Sequence, residues 1–101
     1  MGKVFRMIVE IATLNIRPSD RLAFESVFPE AAGILSSAEG YIWHQLQRSV
    51  DTENRYVLLV HWQKKENHTV GFRGSALYEE WRRLLHHFFA VPPAVEHYEL
   101  I

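Results

Sequence analysis

The sequence predicts an α+β fold of the ferredoxin-like type, with the order β-α-β-β-α-β and an antiparallel sheet. Three observations predict it. Four segments rich in branched and aromatic residues are typical of strands, and two segments with apolar residues at helical spacing follow the first and the third of them. The polar segment Asp51–Asn54 joins the second and third strands as a hairpin loop. In this arrangement both helices cover the same face of the sheet.

The predicted elements follow the chain without repeats or linkers, and residues 1–101 are expected to form one domain. Strands are predicted over 3–16, 41–50, 55–63 and 94–101, and helices over 20–37 and 75–89. Ser19 or Asp20 can cap the first helix, and Pro29 within it predicts a kink. The pair Pro92–Pro93 ends the second helix because proline cannot continue the helical hydrogen bonds.

The third strand is apolar on both of its faces. Alternate residues along Tyr56–Trp62 point to opposite sides of the sheet, and neither set is predominantly polar. A strand with one solvated face alternates apolar with polar residues, so both faces of this sheet are expected to be covered. Two helices on one face leave the other face uncovered. We therefore predict a homodimer that packs sheet to sheet.

The composition excludes several classes of function. A formal net charge of -1 gives no electrostatic reason to expect a nucleic acid or an acidic membrane surface as a partner. The chain has no cysteine, which excludes disulfides, thiol catalysis and zinc–thiolate sites and favours a reducing compartment. No apolar run approaches the length of about 20 residues that crosses a bilayer, and Glu10 interrupts the apolar run near the N-terminus. A cytoplasmic protein is therefore expected.

Two histidines are predicted to face each other across the hairpin. If the strands pair directly across the polar loop, Trp43 lies opposite Trp62 and His44 lies opposite His61. Neighbouring side chains on paired strands are about 5 Å apart, which would allow two imidazoles to share a metal ion. Two neutral histidines without a third ligand are a weak metal signal, so no metal site is predicted. Hydrogen-bonded packing at the subunit interface is the favoured interpretation.

The segment after the third strand carries residues that suit chemistry. His68 follows the strand by one turn of helix, and an imidazole with a pKa of about 6.5 can accept a phenolic proton near neutral pH. An exposed or helix-capping histidine is the alternative. Trp62 can stack on an aromatic substrate, although a tryptophan at a strand end also commonly packs in the core.

Two arginines are candidate anion sites. Arg82, at the edge of the apolar stripe of the second helix, can hold a phenolate or a superoxide-like anion. A salt bridge to Glu79 or Glu80, or packing of its aliphatic stem, is the alternative. Arg73, between two glycines, can bind an anion or fix the turn. His86, farther along the helix, is predicted to face outward.

Four segments resemble the antibiotic biosynthesis monooxygenase (ABM) superfamily: the strand VLLVHW, the turn ENHTVGFRGS, the helix WRRLL and the closing segment PPAVEHY. The resemblance covers essentially the whole chain. It implies a dimeric α+β barrel that is built from two ferredoxin-like subunits, in agreement with the predicted order of elements.

The resemblance also implies residues for chemistry. The quinone-forming oxygenases of the superfamily use the electron-rich ring of the substrate to activate dioxygen, without flavin or metal. Trp62 and Arg82 match their tryptophan and arginine, whereas Leu58 replaces an asparagine and His68 replaces a tyrosine. In the heme-degrading branch a histidine on the last helix binds the iron, with further site residues nearby. Arg82 and Phe72 occupy those positions in this chain, so heme is not an expected cofactor. A branch that isomerises small metabolites has histidines in its pocket, which keeps His68 as a candidate there.

We therefore predict a small cofactor-independent monooxygenase that oxidises an aromatic or quinol-type compound, with dioxygen as co-substrate. His68 is the predicted general base, Arg82 the anion stabiliser and Trp62 the aromatic wall. The predicted substrate-binding residues are Trp43, Leu58, Phe72, Arg73, Tyr78 and Trp81. The alternatives are a non-catalytic dimeric ligand-binding domain and a small-metabolite isomerase of the same fold.

Overall fold

The computed structural model describes residues 7–101 and confirms the predicted fold. The strands are β1 (Ile8–Asn15), β2 (Tyr41–Arg48), β3 (Arg55–Trp62) and β4 (Ala94–Glu99). The helices are α1 (Arg21–Ser36) and α2 (Ala76–Leu85). A π-helical turn (Asn67–Phe72) lies between β3 and α2, and short 3₁₀ turns precede α1 and follow α2. Positions 3–6 of the first predicted strand lie outside the described residues.

The strands form one antiparallel sheet in the order β2-β3-β1-β4. This is the order of the ferredoxin-like fold, in which the first and third strands occupy the centre. The inner side chains of β3 are at most 2% exposed: Tyr56, Leu58, Val60 and Trp62. The helices pack on this face and against each other, and they bury Phe24, Phe28, Ala31, Leu35, Trp81, Leu84 and Leu85.

The predicted pairing between β2 and β3 is wrong by one residue. Trp43 lies opposite His61 instead of Trp62, and His44 lies opposite Val60 instead of His61. The hairpin closes one residue earlier on β2 than predicted, which lengthens the loop. Because a slip of one residue exchanges the faces of a strand, His44 and His61 lie on opposite sides of the sheet and share no site. Within residues 7–101, no group of three or more His, Asp or Glu side chains is arranged to hold a metal ion.

The helices begin and end close to their predicted bounds. The Ser75 Oγ accepts a hydrogen bond from the Tyr78 N–H at 3.3 Å, so Ser75 caps α2. The α-helical part of α2 ends at Leu85, before the predicted end at Phe89, because the chain tightens into a 3₁₀ turn. Helix α1 continues through Pro29 without a break. In the described part of the chain, no helix has the length and apolar character that crossing a membrane requires.

The face of the sheet opposite the helices, which we call the outer face, is not covered by any element within residues 7–101. Its central apolar side chains are only partly buried: Val9, Ile11, Val57 and Leu59. Trp43 is 46% exposed on this face and packs edge-on against His61, with ring centroids 4.7 Å apart. The two apolar faces of β3 therefore correspond to one packed face and one open face, and the homodimer stays a prediction.

Candidate active site

A cavity of about 320 Å³ lies between the inner face of the sheet and α2. The sheet supplies apolar lining residues, which include Ala12, Leu14, Leu58, Val60 and Val95. The opposite side supplies the aromatic side chains of Phe72, Tyr78, Trp81 and Phe89. Four polar side chains also line the cavity: Glu10, His68, Arg73 and His86. This combination suits a small, mostly apolar aromatic compound that carries a few polar groups.

Glu10 is a buried carboxyl group near the centre of the sheet. It lies on the inner face of β1, between Val60 of β3 and His97 of β4, and is only 6% exposed. The Trp62 Nε1–H donates a hydrogen bond to its Oε1 at 3.0 Å. Burial raises the pKa of Glu10 to about 7, against smaller opposing effects of the Trp62 hydrogen bond and the Arg73 charge. Near neutral pH this group therefore exists in both protonation states, which suits a proton acceptor and donor.

His68 lies between Glu10 and His97. It is 5% exposed, and its ring stacks on Trp62 with centroids 5.6 Å apart and planes inclined by 20°. Its Nε2 is 3.4 Å from Glu10 Oε1, and its Nδ1 is 2.8 Å from His97 Nε2. Burial, followed by the positive charge of Arg73 and by the neighbouring His97, lowers the pKa of His68 from 6.5 to about 3. The imidazole is therefore neutral near pH 7, and a polar group faces each of its nitrogens.

The π-helical turn Asn67–Phe72 sets the position of His68. The Arg73 N–H donates to the His68 carbonyl at 3.2 Å, five residues back along the chain, which is the spacing of a π-turn. Gly40, at a φ of 80°, leaves room for the start of this turn, because a Cβ there would lie 2.1 Å from the Asn67 Cγ. The turn directs His68 into the core and leaves Arg73 exposed.

Arg73 supplies positive charge to the cavity. It is an exposed residue that nevertheless lines the cavity. Its charge lowers the pKa of Glu10, of His68 and of His97, so its field reaches all three side chains. A cation at the rim of an apolar cavity favours an anion that develops inside it. The cavity thus combines a proton acceptor with a neighbouring cation.

The structure brings most of the predicted site residues to this cavity, namely Leu58, His68, Phe72, Arg73, Tyr78 and Trp81. Trp62 is fully buried and does not line the cavity; it supports His68 and Glu10 instead of forming the predicted aromatic wall. Trp43 lies on the outer face, which does not fit its predicted role in substrate binding. The one-residue difference in register is the reason.

Arg82 is predicted to act inside the site and His86 to face outward, and the structure places them the other way round. Arg82 is exposed and outside the cavity lining, with its guanidinium carbon 6.0 Å from the centroid of the Tyr78 ring. His86 lines the cavity and packs edge-on against Tyr78, with centroids 6.2 Å apart. The 3₁₀ turn after Leu85 changes the direction in which His86 points. Burial and the Arg82 charge lower the pKa of His86.

Glu10 and His97 are functional candidates that the sequence reasoning missed. The signal for Glu10 is a single carboxylate between Val9 and Ile11 in an otherwise apolar strand. A charge in such a strand indicates a buried ionisable group, which is a frequent feature of functional sites. His97 has no such signal, because only the pairing of β4 with β1 brings it to this position.

Comparison with known proteins identifies the family. The family described as antibiotic biosynthesis monooxygenase matches residues 7–84. The chain belongs to the antibiotic biosynthesis monooxygenase family. The uncharacterized protein YczJ of Bacillus subtilis (strain 168) is 44% identical to this family member over 93 residues, which cover 92% of this chain and 98% of YczJ.

Solved structures have the same fold as this chain. A Bordetella bronchiseptica protein, provisionally named an antibiotic biosynthesis monooxygenase, superposes with a TM-score of 0.92 at 38% identity and covers 95% of this chain and 98% of its own. SnoaB of Streptomyces nogalater, described as a cofactor-independent oxygenase, superposes with a TM-score of 0.73 at 19% identity and covers 95% and 92% of the two chains. The likeness to SnoaB shows a shared fold.

Proposed function

We propose that this member of the antibiotic biosynthesis monooxygenase family is a small oxygenase, which oxidises an aromatic or quinol-type compound with dioxygen and without a bound cofactor. The observation that carries the proposal is Glu10, a carboxyl group with a pKa of about 7 inside a cavity of aromatic and apolar side chains. SnoaB, described as a cofactor-independent oxygenase, is a precedent for such a reaction on this fold.

The first step is loss of a phenolic proton from the substrate. A phenol with a pKa of about 10 is almost fully protonated near pH 7, and its anion gives up an electron much more readily. The Glu10 carboxylate accepts the proton and becomes a neutral carboxyl group in its buried site. The positive charge of Arg73 stabilises the phenolate that remains. Neutral His68, with its low pKa, is assigned here to hold Glu10 in place rather than to act as the general base.

The oxygen chemistry balances without another reductant. The phenolate gives one electron to dioxygen, and the resulting radical and superoxide join through a new carbon–oxygen bond. Loss of hydroxide, which takes the hydrogen of the same carbon, leaves a quinone, and the hydroxide becomes water with the proton that the phenol gave up. One oxygen atom enters the substrate, the other ends in water, and the substrate supplies all four electrons. The apolar part of the lining lowers the local dielectric relative to water, which strengthens the interaction between the anion and Arg73.

The test is oxygen uptake by the purified protein with dihydroxyanthracene or naphthol-type substrates, without added flavin or metal. We expect one dioxygen to be consumed for each quinone formed. Binding of these compounds without any oxygen uptake would contradict the proposal and would instead support a ligand-binding domain.

Arg73→Ala is expected to lower kcat/KM in this assay by about 10²-fold, because the developing anion loses its neighbouring cation. Arg82→Ala is expected to leave kcat/KM unchanged, since Arg82 lies outside the cavity lining. Arg21→Ala, at an exposed arginine at the start of α1, controls for loss of a surface charge. If kcat/KM falls strongly in Arg82→Ala but not in Arg73→Ala, Arg82 has the anion-stabilising role that the resemblance implies and Arg73 does not.

A second candidate function follows from the closeness of Glu10 and His68. A carboxyl group and a neutral imidazole that lie 3.4 Å apart can move a proton to and from a carbon next to a carbonyl group. Such an isomerase needs no dioxygen. Turnover of a small carbonyl compound under argon, monitored by exchange of its carbon-bound hydrogen with D₂O, would identify this function instead.

The proposal includes a homodimer that covers the outer face of the sheet. The partly buried apolar side chains there are Val9, Ile11, Val57 and Leu59. Exposed apolar patches of this kind commonly mark contact surfaces. Because the cavity lies on the inner face, the dimer would leave it accessible to substrate.

A further inference from the structure

Three side chains form a continuous line from the cavity toward the surface of the protein. Glu10 Oε1 lies 3.4 Å from His68 Nε2, and His68 Nδ1 lies 2.8 Å from His97 Nε2. Glu10 and His68 are 6% and 5% exposed, whereas His97 is half-buried and reaches solvent. Trp62 fixes the line at two points, since it donates to Glu10 Oε1 and stacks on the His68 ring.

The contact between the two histidines holds one proton in one of two arrangements. A hydrogen bond between ring nitrogens needs a proton on one and a lone pair on the other. With the proton on His97 Nε2, neutral His68 carries its own proton on Nε2, where it faces the Glu10 carboxylate. With the proton on His68 Nδ1, the His68 Nε2 presents a lone pair to a protonated Glu10. The hydrogen bond between the two histidines is therefore kept in both protonation states of Glu10, with His68 Nε2 3.4 Å from the carboxyl oxygen.

We propose that Glu10, His68 and His97 form a proton path that returns the substrate's proton from the cavity to water. This inference rests on the proposed function, in which Glu10 takes up that proton. Protonated Glu10 gives its proton to His68 Nε2, His68 gives its Nδ1 proton to His97 Nε2, and His97 releases its Nδ1 proton to water. One bond to hydrogen breaks for each that forms, and the transfer leaves Glu10 as a carboxylate with both rings protonated at Nε2. Both rings return to the Nδ1–H tautomer before they carry the next proton.

The charges around the path keep both imidazoles neutral between transfers. After burial, the positive charge of Arg73 lowers the pKa of His68, and those of Lys65 and Arg73 lower the pKa of His97. The other titratable groups that line the cavity or share this face of β4 are Tyr78, His86 and Glu99. Since an imidazolium next to these cations is disfavoured, the rings pass a proton on and do not retain it. His97 touches no substrate, so it is a positioning residue for proton transfer.

The test observes Glu10 itself and does not depend on turnover. A rapid drop from about pH 8 to about pH 6 crosses the pKa of Glu10, and time-resolved infrared spectroscopy follows the C=O band of its protonated carboxyl group. Absence of this band in Glu10→Gln assigns it. His97→Gln keeps an N–H that can donate to His68 Nδ1 but has no second ring nitrogen to pass a proton on. We expect His97→Gln to slow the protonation of Glu10 about tenfold or more.

Two further variants complete the experiment. His97→Ala should be slow as well, and imidazole added to the buffer should restore its rate by occupying the space of the lost ring. His87→Gln, at an exposed histidine outside the cavity lining, should match the unmodified protein. Unchanged rates in His97→Gln and His97→Ala, or a slow rate that imidazole does not restore, would overturn the path. Slow, rescued rates in a protein that takes up no oxygen would leave the path standing and reject the oxygenase.

Discussion

Glu10→Gln is expected to stabilise the protein above pH 7 while lowering its turnover by about 10²–10⁴-fold. Glutamine has nearly the shape of glutamate and can still accept the Trp62 hydrogen bond through its amide oxygen. It cannot take a proton from the substrate, and it cannot place a charge in the buried site. One substitution therefore separates the energetic cost of the buried carboxylate from its use in proton transfer.

The gain in stability follows from the direction of the pKa shift. The pKa of Glu10 is about 7 in the folded protein, against an ordinary value of 4.5. Between these values the unfolded chain has lost the proton that the folded protein retains. The stabilising contribution of Glu10 is therefore fully present below pH 4.5 and is lost as the pH rises through 7. The loss amounts to about 3 kcal/mol, and a glutamine does not incur it.

Urea unfolding of the two proteins measures this difference. We expect Glu10→Gln to have the higher free energy of unfolding by about 3 kcal/mol near pH 8, and the difference to become small near pH 5. The lowered pKa of His68 reduces stability as the pH falls below 6.5, but it does so in both proteins and largely cancels. Glu39→Gln, at an exposed carboxylate, is the matched control without such a pH dependence. Equal stability of the two proteins at both pH values would remove the basis for proton transfer at Glu10.

The fold could be predicted because its elements depend on local patterns. The apolar run of β3 and the helical spacing around Trp81 both specify an element without reference to the rest of the chain. Local pattern does not determine the register of the β2–β3 hairpin, because the sequence fits both the predicted loop and the observed loop, which is one residue longer. This shift of one residue in the register decides whether Trp43 faces the helices or the outer face of the sheet.

The candidate site could be predicted only in part, because it combines residues that are distant in sequence. His68 and Arg73 belong to one short segment after β3, so their closeness follows from chain order. Glu10 and His97 meet only because β1 lies between β3 and β4, which depends on the whole sheet. His86 enters the cavity through a 3₁₀ turn, which helical spacing does not predict. Local sequence pattern therefore does not predict the places of Glu10, His97 and His86, although they are among the polar residues at or beside the cavity.

Leu59→Glu is expected to convert a homodimer into a folded monomer. Leu59 lies on the outer face of β3, between Ile11 of β1 and Gln45 of β2, and therefore near the centre of the proposed contact surface. It is only partly buried in the single chain and is not part of the core, so a glutamate there can remain solvated in the monomer. In a sheet-to-sheet dimer the same carboxylate would be buried without a partner, which costs several kcal/mol.

Sedimentation equilibrium, with circular dichroism to confirm folding, distinguishes dissociation from unfolding. Val50→Glu adds the same charge at an apolar residue that is 96% exposed in the hairpin loop, so it should stay dimeric. The unmodified protein should sediment as a dimer, and Leu59→Glu as a monomer with an unchanged spectrum. A folded monomer for the unmodified chain, or a dimer that persists in Leu59→Glu, would contradict the sheet-to-sheet assembly. In either case the apolar outer face would need another explanation than a second copy of this chain.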